Sequence, residues 1–251
     1  MADRSARRAA PEVAGSALHD PEQALAPVAL TFHQAAVLVG AYRWAEERLF
    51  ALTGGWSADP AMGPEAQVHL FELSAQHAWH ADLWADRLPV LDGFDRQDAT
   101  RPRGPVLEPL LTALEAETVP SGRLAGLARV VVPELAAAYR HHLGRAVPVT
   151  DGPVIRTLHV VLADLDAEKA ALERVLAGAG LDPGGSDGTP SGGAPAGAAE
   201  PAEAVEAAVG RLEAVLEAAG GPVGVAAGPT VTAPVRLVPW PGAGGSGPPA
   251  R

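Results

Sequence analysis

The sequence predicts an all-α protein built as a helical bundle, and three observations carry that prediction. Apolar residues recur at helical spacing in four long segments. Hydrophobic residues make up 47% of the 251-residue chain but aromatics only 4%, a composition suited to close helix packing rather than to an aromatic-rich β core. Ser, Thr, Asp, Gly and Pro stand where those segments start and stop.

Taken in order, residues 1–26 mix Ala, Arg, Pro and Glu without periodicity. They are expected to form a mobile arm, with DPEQAL at 20–25 a short helical turn. Helix one is expected over 29–53, with Thr31 as its N-cap and Gly54-Gly55 as its end. It is apolar on two sides: Phe32, Ala36, Val39, Trp44 and Phe50 flank Glu47, and Leu38, Tyr42, Leu49 and Leu52 lie opposite. That is the pattern of a helix buried between neighbours. Glu46 and Glu47 point about 100° apart, so at most one faces a bundle centre, and the stripe favours Glu47.

The turn-rich GGWSADPAMGPE leads to Pro64 at the first position of helix two. That helix runs to about Leu88, where Pro89 stops it. Its wheel puts His69, Leu73, Gln76, His80, Leu83, Trp84 and Arg87 on one face, with Leu70 and His77 beside them. Two imidazoles one turn apart, His77 and His80, thus sit inside a core-facing stripe. This is the most unusual feature of the chain.

Residues 89–120 form a longer connection that includes a short amphipathic helix, VLEPLLTALEAET. Helix three spans 121–144, between a Ser121 cap and Gly144. Leu127, Val130, Val131, Glu134, Ala137, Ala138 and His141 share one of its faces, and Pro133 must kink or divide it. Helix four spans 150–178, from a Thr150 or Asp151 cap to Gly178 or Gly180. Ile155, Leu158, Leu162, Leu165, Lys169, Leu172 and Leu176 form its stripe, flanked by His159 and Asp166. Residues 181–200 read as a flexible Gly/Pro linker, 201–219 as a fifth amphipathic helix, and 220–251 as an extended or disordered tail.

The chain carries 30 Asp and Glu against 19 Lys and Arg, net −11. With no clustered basic stripe, this excludes nucleic acid as an expected partner. No run of about 20 apolar residues is present to span a membrane. The N-terminus lacks an apolar stretch behind its basic residues, so a cytoplasmic protein is expected. Cysteine is absent, which rules out disulfides and thiolate chemistry. No nucleophile elbow, Walker loop or dinucleotide fingerprint occurs.

The spacing of the helices suggests a topology. Helices one and two, and three and four, are joined by short links that make antiparallel hairpins. The long middle link permits a crossover between them, the ferritin-like arrangement of a four-helix bundle. A plain up-down bundle with a long middle loop is the competing topology.

The stretch YRWAEERLFALTGGW, followed by ELSAQHAWHADLWADRLP, resembles ferritin-like superfamily proteins of uncharacterised function. The resemblance covers residues 29–178, about three-fifths of the chain. It implies a di-metal pattern in which two helices each give a Glu and two each give a Glu-x-x-His pair, held toward iron or manganese. Carried over, helix one offers Glu46 or Glu47. Helix two reads His77-x-x-His80, with an imidazole in place of the carboxylate. Helix three offers Glu134, with His141 two turns on. Helix four reads Asp166-x-x-Lys169, and an ammonium has no lone pair for a metal. His159 is a substitute from one side, giving a single-ion site of His77, His80, Glu134 and His159.

The resemblance therefore implies a lost or reduced metal centre, and with it a non-catalytic scaffold or a ligand- or partner-binding role. The alternative is a metal-dependent oxidoreductase or iron-handling protein. Each residue also has a plainer role: His77 and His80 as packed core side chains, Asp166 and Lys169 as exposed charges, Glu134 as an ordinary acid. The fifth helix and tail are the expected surfaces for a homo-oligomer or protein partner, with docking in cis the first expectation for the helix.

Overall fold

The structure, a computed structural model, describes residues 29–178 and 202–220. The described residues are all-helical, with no strand among them. The expectations for the arm 1–26, the linker 181–200 and the tail beyond residue 220 lie outside the described residues.

Helix α1 spans Phe32–Ser57. Thr31 caps it as expected: its hydroxyl accepts from the Gln34 N–H, and the Gln34 side chain accepts from the Thr31 N–H, so two orphan donors are satisfied reciprocally. The helix does not stop at Gly54-Gly55, as expected, but runs on through both. Gly54 has a packing reason to be there. A Cβ on it would meet the Ser74 hydroxyl at 2.8 Å, so its bare backbone lets the next helix approach. That hydroxyl donates to the Phe50 carbonyl at 3.0 Å, which ties the pair together.

Helix α2, Pro64–Ala85, begins with Pro64 as expected. It runs antiparallel to α1: Trp84 faces Tyr42, His77 faces Glu46, and Ser74 faces Phe50. The connection from 86 to 119 carries two short helices, α3 (Arg96–Ala99) and α4 (Leu107–Glu115). All four leucines of α4 are buried.

The third long helix is divided, and the way it is divided accommodates Pro133. Helix α5, Pro120–Gly126, runs into a π-helical segment, Leu127–Val131, and then α6, Val132–Arg145. The Val132 N–H reaches back five residues to the Leu127 carbonyl, and the wider turn lies just before the residue that lacks a donor. Ser121 does not cap this helix. Val119 stands at the N-cap, with no side-chain cap bond, and Glu117 accepts from the N–H groups of Thr118 and Val119 just before the helix.

Helix α7 spans Pro148–Gly178. The pairings fix the directions. Tyr139 meets Glu46 while His142 meets Tyr42, so α6 opposes α1. Asp164 meets His80 while Glu168 meets His77, so α7 opposes α2. Helices α1, α2, α6 and α7 therefore run up, down, down and up, and the 86–119 connection returns the chain along their length.

Helix α8, Ala202–Ala218, packs on α5 and α4. Its Val205, Val209 and Leu212 join the same buried core as the other helices. Leu212 sits so close to α5 that a Cβ on Gly126 would come within 2.4 Å of its methyl. Arg211–Glu117 at 2.5 Å and Arg129–Glu206 at 2.8 Å border the contact. The fifth helix is thus used in cis. Among the described residues no helix is long and apolar enough to cross a membrane.

Candidate metal centre

On α1, the positions Val39, Tyr42, Glu46, Leu49, Thr53 and Trp56 repeat at three- and four-residue spacing and are all buried. Glu46 occupies the centre of that row. Glu47 lies on the outer side, half-exposed and paired with Arg43 at 2.8 Å. The expected preference for Glu47 is therefore reversed. Phe32 and Phe50 misled it: they are 64% and 47% exposed, so neither marks the inner side of this helix.

On α2, His77 and His80 are both fully buried. The Nδ1 of His77 lies 2.7 Å from Glu46 Oε2, and the Nδ1 of His80 lies 3.5 Å from the same oxygen. Glu46, His77 and His80 form the one group among the described residues whose ligand atoms lie together as a metal site requires, all within 4.8 Å of one another. The other Glu46 oxygen, Oε1, accepts the Tyr139 hydroxyl at 2.5 Å.

Two carboxylates from α7 complete the cluster on the far side of the imidazoles. Asp164 Oδ2 lies 3.0 Å from His80 Nε2. Glu168 Oε1 lies 3.3 Å from His77 Nε2, an ion-pair approach that misses hydrogen-bond geometry. Glu168 is buried, and neither of its oxygens has a hydrogen-bond partner; His77 Nε2 and His80 Nδ1 are also without one. Of these four atoms only His80 Nδ1 faces Glu46, and a buried imidazole nitrogen left without a hydrogen-bond partner there is open to a ligand. Two imidazoles and a carboxylate also suit a divalent transition ion. The residues present therefore fit a metal.

The electrostatics follow from this packing. Burial pushes the Glu46 carboxyl up, but the hydrogen bonds and charges of His77 and His80 outweigh it and hold it at about 2. Burial pulls the His77 imidazole down, but Glu168 and Glu46 outweigh that and raise it to about 10. His80 is likewise raised, against its own burial, by Glu46 and Asp164. Tyr139 is pushed well above the usual phenol range by burial and then by the Glu46 charge.

The remaining expectations are corrected. Glu134 is buried but stands outside the group; Oε1 has no hydrogen-bond partner, and burial raises the carboxyl to about 7. His159 is exposed and takes no part. On α6 the buried histidine is His142, not His141; it packs on Tyr42, and burial lowers it to about 4. Asp166 and Lys169 are exposed, paired with Arg140 and Glu173. The cation expected to spoil the site is on the surface, and Glu168 holds the inner position.

Asp164, Glu168 and Tyr139 were the residues missed. The signal for Glu168 was present. Leu158, Val161, Leu165, Glu168 and Leu172 repeat at helical spacing as regularly as the row through Lys169, and the two rows share three leucines. A surface cleft lined by Phe32, Val39, Arg87 and Pro153, among others, contains none of the cluster residues. Comparison with protein-family models, curated proteins and solved structures gives no match to this chain.

Proposed function

We propose that this chain is a ferritin-like helical bundle whose core retains a reduced metal centre, binding a divalent transition ion such as iron or manganese through Glu46, His77 and His80. One observation carries the reading: three ligand atoms from two helices converge in a fully buried place, where His80 Nδ1 has no hydrogen-bond partner. Metal–ligand bonds of about 2.1 Å put neighbouring ligand atoms about 3.0–3.4 Å apart. The separations of 2.7 and 3.5 Å bracket that range. The up-down-down-up order of the long helices supports the ferritin-like topology over a plain up-down bundle. When bound, such an ion would supply a Lewis-acid or redox centre. Glu46 and the two imidazoles hold it, and Trp84, Tyr42 and Tyr139 pack the core beside it.

A second reading has its own support. Glu46, His77 and Tyr139 are already linked by hydrogen bonds, which suits a metal-free scaffold with a buried ion pair. Metal analysis of protein purified without a His tag separates the two. Near-stoichiometric iron, manganese or zinc, absent from His80→Ala, is the expected result. A metal-free protein whose melting is unchanged by any of these ions would leave only the scaffold.

A further inference from the structure

We infer that the site takes one ion and not two, because Tyr139 and Asp164 occupy the positions through which a second ion would be held. The inference rests on the metal reading above and specifies the ligand class: a single divalent ion in a two-His, one-carboxylate set with open positions.

Tyr139 limits the carboxylate. Its hydroxyl donates to Glu46 Oε1 at 2.5 Å, which leaves Oε2 as the oxygen facing both Nδ1 atoms. Glu46 then binds through one oxygen and does not bridge. A bridging carboxylate is what offsets the charge of two cations held close together, so the hydroxyl removes the main support for a pair.

Asp164 fixes the imidazole. The two nitrogens of an imidazole ring point in widely different directions, so a group on Nε2 cannot also bind an ion held at Nδ1. Asp164 lies on the Nε2 side of His80 at 3.0 Å. By accepting that N–H it sets the tautomer in which Nδ1 keeps its lone pair for the ion. Glu168 lies on the corresponding side of His77 at 3.3 Å. Asp164 therefore acts through an imidazole, as a positioning residue; Glu168, which has no hydrogen bond to His77, contributes only its charge.

The third missing support is on α6. In the two-ion pattern a further helix contributes a carboxylate, and here Glu134 stands outside the group while Tyr139 faces it. One face of the cluster is thus closed by a phenol.

The test is a cobalt(II) titration of the full chain, purified metal-free, read by stoichiometry and by the visible d–d bands. One cobalt per chain is expected. Asp164→Asn should keep that stoichiometry and the band positions while weakening binding about 10–100-fold. Glu46→Gln should shift the bands, because it changes an atom bound to the ion. Two cobalt ions per chain would overturn the inference and leave the metal reading standing. So would an Asp164→Asn variant that binds as tightly as the parent, or one whose bands move like those of Glu46→Gln. Failure of the parent chain to bind cobalt would overturn both readings. Helical content measured on each variant separates loss of a site from loss of the fold.

Discussion

Glu46 and His77 stabilise each other only while one is an anion and the other a cation, and that defines a pH window. The Glu46 carboxyl sits at about 2 instead of its ordinary 4.5. Its contribution is present above 4.5 and is lost as pH falls toward 2. The His77 imidazole sits at about 10 instead of 6.5. Its contribution is complete below 6.5 and is lost as pH rises through about 10. Both are at full strength between about 4.5 and 6.5. The melting temperature of metal-free protein should therefore exceed that of His77→Gln most at pH 6, with the gap closing by pH 10. A gap that stays constant across that range would show that His77 is not cationic in the folded protein. Glu134 works the other way. Its carboxyl is raised to about 7 by burial, so ionisation costs the folded state increasingly from 4.5 to 7 and fully above. Glu134→Gln should raise the melting temperature at pH 8 and change it little at pH 4. Equal effects at both values would mean that the carboxyl is not perturbed.

Single residues also show where sequence reasoning stopped. His77 and His80 were legible because an imidazole pair inside an apolar stripe is rare. Glu46 against Glu47, and Glu168 against Lys169, were not. Adjacent helical positions differ by about 100°, and each pair sat on the border of two equally apolar rows. Exposed Phe32 and Phe50 tipped one choice, and the shared leucines of α7 left the other open.

At the scale of elements, the first two helix starts were legible, but Ser121 and Thr150 or Asp151 were not the caps of the later helices. Thr31 and Pro64 each act through local chemistry, a side-chain oxygen and a missing donor, so the sequence alone shows them. Gly54 carries the same local signal as a helix stop, but contact with Ser74 on another helix decides its role. Pro133 announced an irregularity, and the π segment before it gives that irregularity its form. The fifth helix supplies a direct test at this scale. Leu212 is buried against Gly126, so Leu212→Ala should cost about 2–5 kcal/mol in chemical denaturation. A loss below about 0.5 kcal/mol, the size of a typical surface change, would mean that α8 does not belong to the core.

For the whole molecule, the coarse architecture followed from connection lengths. Two short links and one long one implied two hairpins, and the long middle segment does carry the chain back along the helices. Burial of α8 against α4 and α5 is a tertiary fact that its own amphipathic pattern did not locate. The core also couples site to stability. An ion that binds only the folded chain adds about 2.7 kcal/mol at a hundredfold excess over its dissociation constant. For a protein of this size that corresponds to a rise of about 5–11 °C in melting temperature. Manganese(II) should produce the rise, a chelator should reverse it, and His80→Ala should abolish it. An equal rise in His80→Ala would place the ion elsewhere.

The most direct measurement is crystallographic: anomalous diffraction from crystals of the full chain grown with manganese(II), recorded at the metal edge. The account predicts one anomalous peak per chain, about 2 Å from Glu46 Oε2 and from the Nδ1 atoms of His77 and His80. No peak in the core, or a peak bound through Glu134 or on the Nε2 side of the imidazoles, would contradict it.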